Sequence, residues 1–570
     1  MTAYLLLTIL SCIGFMGLVA FVSWRQTRGR VDTGAGYFLA GRGLGATFIA
    51  GSLLLTNLSA EQLIGLNGSA YGYNLSSMGW EVTAAVATVL MAFFFLPKYL
   101  AGAFTTLPEF LSARFDEGVR RMTLVLFMLG YGLVTIPSVL YSGSIAVLKL
   151  FDLPELLQLD YSTSLVLTIM VIGALGASYA ILGGLRAVAV SDTLNGVGLL
   201  IVGVAVPWLG LRALGEGSVG AGLNMVLTTE TQKLNAIGGP TDPTPFATLF
   251  TGMVFANLFY WCTNQYVIQR TLAARSLTEG QKGVLLSGFF KVLVPLLMMI
   301  PGVVAYHLYG PELQSIDLAY PQLVRDVLPV YATGFFLAVL LGAVLSSFNS
   351  LINSASTLFC IDVYQPLVGR AVSDMEMVRV AKRVGLVMTG FSLLVAPLLQ
   401  FAAEGLWQVI RIFTGFYNIP MIAIVIIGLF TRQVPALAAK VVIVFHIVAY
   451  GAFQFVLKDL LPVHFLHLYA ILFVVEVAMM LAIGVWHPRK EETAIRQTAE
   501  VDLTPWAYAP PCAVTLLSCV VALYVVFSPI GLVGEGSNLF APALLGLLAL
   551  NVLFWFGWHR RLTAGSGAHA

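Results

Sequence analysis

Long apolar runs recur along the whole chain and constrain its fold more than any other feature. A helix needs about 20 apolar residues to cross the hydrocarbon core of a bilayer, and about fifteen such runs can be counted. They lie near residues 2–24, 44–72, 77–97, 118–149, 162–184, 187–213, 246–269, 280–308, 329–361, 379–401, 405–431, 433–457, 465–486, 506–529 and 538–558. Charged residues make up only 10% of the chain, against roughly 25% in soluble globular proteins. The sequence therefore predicts an all-α polytopic membrane protein.

Basic residues concentrate in alternate loops between these runs. The basic set is Arg25, Arg28, Arg30, Arg42, Lys98, Arg114, Arg120, Arg121, Arg186, Arg270, Arg275, Lys282, Arg379, Lys382, Arg383, Arg432, Lys440, Arg489, Lys490, Arg496, Arg560 and Arg561. Because positively charged loops stay in the cytoplasm, we expect a multi-pass protein of the cell (plasma or inner) membrane. Its N-terminus is expected outside and its C-terminus inside the cell.

The chain lacks the features of an enzyme. No segment between the runs is long enough for a separate catalytic domain, and no nucleophile–base or metal-ligand constellation is found. The prediction is a membrane protein without catalytic activity and without a nucleic-acid partner.

Two stripes of polar residues lie within apolar runs. One follows Ala343 along a single helical face and consists of Ser346, Ser347, Ser350, Asn353 and Ser354. The other consists of Asn257, Tyr260, Trp261 and Asn264. Two interpretations are open. Small polar residues at this spacing allow close helix packing, and a helix face that lines a solute route has the same pattern.

Ionisable residues at membrane depth favour the second interpretation. Glu61, Glu81, Asp192, Lys291 and Arg411 lie within or close to predicted spans. Such residues are rare, usually face a bundle interior or a watery cavity, and mark solute or ion routes. Any one of them could instead form a structural ion pair. The five together with two polar stripes favour a transporter.

The stretch LTNLSAEQLIG (residues 55–65) places four polar side chains inside an apolar run. A helix broken near Thr56–Ser59 would release backbone carbonyls as ligands for a small cation, as transporters with inverted repeats do at the membrane midplane. Spans 2–6 and 7–11 would then form two five-helix repeats. We expect the corresponding break in the second repeat around Asn257.

Several longer segments carry a resemblance to a known family. They are YFLAGRGLG (37–45), NLSAEQLIGLNGSAY (57–71), ILGGLRAVAVSD (181–192), ANLFYWCTNQYVIQRTLAARS (256–276) and SSFNSLINSASTLF (346–359). In order and over most of the chain, the sequence resembles the sodium:solute symporter family, specifically its sodium/sugar cotransporter branch. The resemblance implies a leucine-transporter-type core of two five-helix inverted repeats, one helix before it and about four after it. The implied divisions are an N-terminal helix and basic loop (1–36), the first repeat (37–213), an extracellular or periplasmic loop (214–245), the second repeat (246–432) and additional C-terminal helices (433–570).

The resemblance also implies where sodium binds. The main site maps to the backbone carbonyls of Leu55, Leu58 and Ala343 and to the hydroxyls of Ser346 and Ser347. Sodium held there should favour solute binding through a coupling free energy between the two sites.

Some relatives carry a second sodium, and its ligands map to Asp192, Ser346 and Ser350. The remaining position is Asn349 rather than serine or threonine, and its amide supplies a carbonyl oxygen. A second sodium site at Asp192, Asn349 and Ser350 is therefore a further expectation.

Solute contacts in the branch map to a group of polar side chains. The implied contacts are Asn57, Gln62, Glu81, Asn257 and Lys291, with Tyr260 stacking on the sugar. Amides and carboxylates suit a polyol because each hydroxyl both donates and accepts hydrogen bonds. Two positions depart from the pattern: Ala84 stands where one branch has serine, and Arg411 replaces a glutamine. Arg411 could pair with Glu81 or with a neighbouring carbonyl. Since an arginine fork also pairs with carboxylates of a ligand, Arg411 equally raises the hypothesis of an acidic or modified hexose.

The first prediction is thus a sodium-driven importer of a sugar or sugar-like solute. The alternatives are a family symporter for an amino acid, carboxylate or vitamin, a membrane sensor that binds without transporting, and coupling to protons through Asp192 or Glu61.

Overall fold

The computed structural model describes residues 2–28, 33–313, 315–401, 406–457, 460, 463–489, 498, 500–534 and 537–566. These ranges are nearly all helical and contain no β-strand, only two isolated bridges that join Leu44 to Ala274 and Ser276 to Asp502. The prediction of an all-α chain is confirmed.

The described residues up to Thr228 form twelve α-helices. They are α1 (Thr2–Thr27), α2 (Gly34–Leu39), α3 (Ala46–Asn57), α4 (Ala60–Gly72), α5 (Met78–Leu90), α6 (Leu96–Ala101), α7 (Leu107–Arg114), α8 (Glu117–Leu129), α9 (Ile136–Phe151), α10 (Leu153–Leu157), α11 (Tyr161–Leu214) and α12 (Val219–Thr228). Short π-helical segments make α5 continuous with α6 and α8 continuous with α9.

The second half contributes the remaining helices. They are α13 (Gly252–Cys262), α14 (Gln265–Leu272), α15 (Leu277–Val294), α16 (Ile300–Tyr309), α17 (Ala319–Val327), α18 (Val330–Phe359), α19 (Gln365–Val368), α20 (Asp374–Val395), α21 (Leu406–Phe430), α22 (Ala436–Ala452), α23 (Phe465–Trp486), α24 (Ala509–Val526) and α25 (Phe540–Ser566).

The membrane spans match the predicted apolar runs. In the described residues, 13 helices are long and apolar enough to cross a membrane, and the bent pair α3–α4 brings the number to 14. The remaining predicted run, 246–269, corresponds to α13 and α14, which have 11 and 8 residues and are separated by Thr263 and Asn264. Each half is too short to cross a membrane alone.

The long helix α11 is two spans joined at Gly184. This glycine has φ 57° and ψ −167°, a conformation that L-residues with a side chain rarely adopt. A Cβ atom here would lie 2.8 Å from the carbonyl oxygen of Tyr37. Glycine thus allows both the turn between the spans and the close approach of the segment before α3.

A central group of helices builds the core. Helix α11 packs against α18, α3 and α1, and α15 packs against α3 and α5. Helices α21, α22 and α23 pack on one another, α21 and α23 also pack on α13, and α25 packs on α24. The core helices α3, α11, α15 and α18 therefore bring the predicted polar positions together. The repeat boundaries at 37–213 and 246–432 stay predictions.

Candidate functional site

The helix break predicted near Thr56–Ser59 is present. Helix α3 ends at Asn57, α4 begins at Ala60, and their axes are bent by 59°. The Ser59 amide donates to the Asn57 carbonyl at 3.0 Å rather than to Leu55, four residues back, as in a regular α-helix. The Leu55 carbonyl therefore does not accept the backbone hydrogen bond that a continuous α-helix would give it. Leu58 lies next to it at the break.

The hydroxyl stripe of α18 faces this break. Ser347 Oγ donates to the Thr56 carbonyl at 3.3 Å, and Ser350 Oγ lies 3.2 Å from Thr56 Oγ1. Ser346 Oγ is buried without a hydrogen-bond partner among the described residues. Ala343 is 1% exposed, one turn before Ser346 and Ser347 on the same helix. The structure thus brings the end of α3, through Thr56, into contact with the neutral hydroxyls of α18.

Asp192 lies in a second polar group close to the first. Asp192 Oδ2 accepts a hydrogen bond from Ser52 Oγ at 2.6 Å, whereas Asp192 Oδ1 has no partner among the described residues. Asn349 Oδ1 is likewise buried and without a partner there. Since an unpaired buried oxygen costs free energy, these two oxygens and Ser346 Oγ are suited to a desolvated cation.

Arg270 also belongs to this group, although it was not predicted there. It was counted among the basic loop residues, which is wrong: Arg270 lies in α14 and is 0% exposed. Its Nε donates to Ser52 Oγ at 2.8 Å, and its other guanidinium nitrogens contact the Tyr266 carbonyl and Ser350 Oγ. Ser52 therefore links the arginine to Asp192, which offsets the buried positive charge. The signal available in sequence was QYVIQR, in which no glycine or proline separates Arg270 from the apolar residues Tyr266, Val267 and Ile268.

Three predicted solute contacts form one connected cluster. Lys291 Nζ donates to Glu81 Oε2 at 2.5 Å and also to Asn57 Oδ1. The Lys291 and Glu81 side chains are 1% and 2% exposed. Because the two charges offset each other, the cluster of Asn57, Glu81 and Lys291 has donors and acceptors but no net charge.

The other predicted solute contacts have separate surroundings. Asn257 Nδ2 donates to Thr83 Oγ1 at 3.1 Å and to the Met253 carbonyl at 3.3 Å. Gln62 Oε1 is buried without a partner among the described residues. The half-buried Tyr260 ring packs edge-on against Trp261 and Tyr266, with 5.7 Å between ring centroids in both cases. The side chains of Glu61 and Arg411 lie outside the described residues, so their predicted roles stay predictions.

The break in the second repeat is not at Asn257, as predicted, but six residues later. Helix α13 continues to Cys262, and the interruption falls at Thr263 and Asn264. Helix α13 runs through Asn257, whose side-chain amide donates to the Met253 carbonyl and to Thr83 Oγ1. Tyr131 instead donates to Asn264 Oδ1 at 2.5 Å, which satisfies a polar side chain at the interruption.

Helix α14 is buried on the side of the bundle where the chain enters α3. Every residue from Gln265 to Leu272 is buried. Gln269 Nε2 donates to the Phe38 carbonyl at 2.8 Å and to Thr357 Oγ1 at 2.9 Å. Arg42 donates to the Leu272 carbonyl at 2.9 Å. These contacts close the bundle around α14 on this side.

Comparisons with known proteins give the same class. Residues 37–441 match the profile of the sodium:solute symporter family, and the chain therefore belongs to that family. It is 42% identical to the uncharacterized symporter YidK of Escherichia coli K12 over 97% of both chains. It is 30% identical to the sodium/glucose cotransporter of Vibrio parahaemolyticus over 75% of this chain and 81% of that one.

Solved structures agree on the fold. A Na⁺-coupled sialic acid symporter in a substrate-bound, outward-open state aligns with a TM-score of 0.73 and 21% identity, over 85% of this chain and 99% of that one. A nucleobase-cation symporter in a closed conformation aligns at 0.52 with 14% identity, over 80% and 97%. The protein is a multi-pass sodium symporter with a leucine-transporter-type fold, and it is not an enzyme.

Proposed function

We propose that this symporter imports an uncharged, polyhydroxylated solute of the sugar or cyclic polyol class together with sodium. The observation that carries the proposal is the cluster of Asn57, Glu81 and Lys291 beside the α3–α4 break. Its charges cancel, and its amide, carboxylate and ammonium groups match hydroxyls that both donate and accept. A site of this kind rejects analogues lacking a hydroxyl, because its own buried groups are then left unpaired.

Sodium is proposed to bind at the contact between α3 and α18. The ligands are the carbonyls of Leu55, Leu58 and Ala343 and the hydroxyls of Ser346 and Ser347. The contact of Ser347 with the Thr56 carbonyl supports this assignment. An ion held by both helices stabilises one arrangement of the bundle, and solute affinity rises in that arrangement.

A second sodium is proposed at Asp192, Asn349 and Ser350. The unpaired oxygens of Asp192 and Asn349 support it. Ser350 Oγ is in contact with the Arg270 guanidinium. Asp192 and Asn349 would therefore contribute more than Ser350 to binding the cation.

Solute is proposed to contact Gln62, Asn257 and Tyr260 as well as the charged cluster. Gln62 Oε1, which is buried and has no partner among the described residues, lies three residues beyond the break and supports such a contact. Relatives at 30–31% identity include a sodium/glucose cotransporter and sodium/myo-inositol cotransporters, which favours this solute class. We also propose that the basic loops and the C-terminus lie in the cytoplasm.

A second candidate is an anionic sugar. Arg411 of α21 stands where the sugar branch has glutamine, and an arginine fork pairs with a carboxylate. Transport of neutral hexoses unaffected by Arg411→Gln, with no binding of acidic sugars, would exclude this candidate.

The test is uptake into proteoliposomes under an imposed sodium gradient. Labelled neutral hexoses, cyclic polyols, acidic sugars, amino acids and carboxylates are compared, with choline replacing sodium at constant pH. We expect a neutral sugar or polyol to accumulate in sodium and not in choline. Accumulation of amino acids or carboxylates alone would contradict the solute class, and uptake driven equally well in choline by a pH gradient would contradict the ion.

A further inference from the structure

Gln269 of α14 connects this helix to two other parts of the chain through one buried side chain. It is 0% exposed, and its Nε2 lies within 3.1 Å of the Phe38 carbonyl oxygen, Asn353 Oδ1 and Thr357 Oγ1. Its Oε1 accepts a hydrogen bond from Ser354 Oγ at 2.5 Å. We call these five residues the latch. Asn353 and Ser354 belong to the polar stripe of α18, and neither proposed sodium site uses them.

The latch lies between the proposed sodium ligands and the end of α18. Ser347 and Thr357 are separated by about 15 Å along this helix, at 1.5 Å per residue, and α18 ends at Phe359. Arg42, one of the basic loop residues, donates to the Leu272 carbonyl of α14 on the same side. An ion that leaves the contact between α3 and α18 towards the basic loops therefore has to pass the latch.

The partners of Gln269 form a single surface. Three of them lie on α18, and the fourth is the Phe38 carbonyl at the end of α2. The Phe38 side chain packs in an apolar cluster with Cys360, Met377 and Ala381, which lie just beyond α18 and on α20. This cluster fixes the Phe38 carbonyl relative to α18, so Gln269 binds to a preassembled set of groups.

Helix α14 and the segment that enters α3 are joined as one unit. The Leu44 amide donates to the Ala273 carbonyl at 3.1 Å, and the Arg275 amide donates to the Leu44 carbonyl at 3.2 Å. At its other end α14 is separated from α13 by the interruption at Thr263 and Asn264. A displacement of this unit therefore requires backbone changes at few positions.

One of these positions lies between the part of the chain fixed to α18 and the part fixed to α14. Ala40, Gly41 and Arg42 have φ angles of 51°, 66° and 49°. The left-handed region costs free energy for residues other than glycine, and such conformations concentrate at switch regions. The strained segment thus separates Phe38 on one side from Leu44 on the other.

We propose that α14 and the segment entering α3 form the gate on the side of the basic loops, with the latch holding it closed and Ala40–Arg42 as its hinge. Opening the latch exposes amide and hydroxyl groups that bond to water instead, so one set of hydrogen bonds replaces another. An apolar contact of the same size would open against the hydrophobic effect. Only the direction of release rests on the proposed cytoplasmic placement of the basic loops, and the gate does not depend on which solute is carried.

Amide hydrogen exchange, followed by mass spectrometry, tests the gate. The full-length protein is placed in lipid nanodiscs in sodium buffer without solute, and exchange is compared for α14 and for α16. The variants are Gln269→Met, the pair Ser354→Ala/Thr357→Val, and all three substitutions combined. Because every residue of α14 is buried, its amides reach water when the gate opens.

Gln281→Met is the matched control. Gln281 is a buried glutamine of α15, and its side chain donates to the Ala92 carbonyl at 3.1 Å and accepts from the Trp506 amide at 2.7 Å. It therefore loses the same kind of hydrogen bonds without touching the latch.

We expect Gln269→Met to accelerate exchange of α14 about tenfold, because the closed gate then leaves the latch partners unpaired. Exchange of α16 should stay within about twofold of the wild type, as should exchange of α14 in Gln281→Met. The combined variant should exchange more slowly than Gln269→Met alone, since apolar groups then face each other.

Three results would overturn the gate. They are unchanged exchange of α14 in Gln269→Met, equal acceleration of α14 and α16 in that variant, and equal acceleration of α14 by Gln281→Met. Additive acceleration in the combined variant would overturn the assignment of Gln269 and the α18 side chains to one latch.

Discussion

Lys291 Nζ and Glu81 Oε2 lie 2.5 Å apart, and both side chains are almost completely buried. The two residues are 210 positions apart in sequence, on α15 and α5. Removing one partner of a buried ion pair leaves an uncompensated charge, whereas removing both can be nearly neutral.

We therefore expect Lys291→Met to destabilise the fold by about 3–5 kcal/mol and to abolish uptake. The double variant Lys291→Met/Glu81→Gln should recover most of the thermal stability but not the uptake, because the solute still lacks its contacts. Thermal unfolding and proteoliposome uptake measure the two effects. Equal melting temperatures for the single and double variants would contradict the ion-pair interpretation.

The hydroxyls of α18 provide the second prediction. Ser346→Ala and Ser347→Ala each remove one proposed sodium ligand, so the sodium concentration for half-maximal uptake should rise about tenfold, which corresponds to ~1.4 kcal/mol. The matched control is Ser356→Ala, because Ser356 is equally buried on α18 and, nine residues after Ser347, lies on the helix face opposite that residue. If the control changes sodium dependence as much as Ser347→Ala does, the hydroxyls are not acting as ligands.

The third prediction concerns Asp192. Asp192→Asn removes the negative charge of the proposed second sodium site, and we expect the sodium Hill coefficient to fall towards one. An unchanged Hill coefficient and uptake rate would instead favour a single sodium.

Arg270 provides the control for this experiment, because Asp192→Asn also leaves its buried guanidinium without a counter-charge. The double variant Asp192→Asn/Arg270→Gln should restore thermal stability relative to the single variant. It should not restore the Hill coefficient. Recovery of both properties would assign Asp192 a structural role only.

The fourth prediction concerns a buried pair outside the sodium and solute positions. His446 Nδ1 lies 2.5 Å from Glu476 Oε1, and His446 Nε2 lies 2.9 Å from the Gly415 carbonyl oxygen. A carbonyl only accepts, so Nε2 must carry a hydrogen, and a second proton is shared between the histidine and the carboxyl group. The pair links α22 and α23 to α21.

Loss of either partner should therefore be costly. We expect His446→Leu and Glu476→Leu each to destabilise the protein by about 3–5 kcal/mol, with partial recovery in the double variant. The sodium concentration for half-maximal uptake by the folded fraction should not change. A selective loss of sodium dependence at unchanged stability would contradict a structural role for this pair.

Sequence alone determined the class of fold, the spans and the position of the first helix break. Hydrophobic length is a local property of about 20 residues, so the runs correspond to the observed helices. The polar stretch LTNLSAEQLIG indicated the break between Asn57 and Ala60, because polar groups within a membrane span cost free energy and are usually functional.

Tertiary structure alone decided which polar groups meet. The sequence places Arg270 in a basic loop, yet it is buried beside Ser52 and Ser350, which are 218 and 80 residues away in sequence. The second break is at Thr263–Asn264, whereas Asn257 lies within α13 and its side-chain amide is paired with Thr83 on another helix. The free energy of a buried polar group depends on its partner, and packing of distant helices supplies that partner.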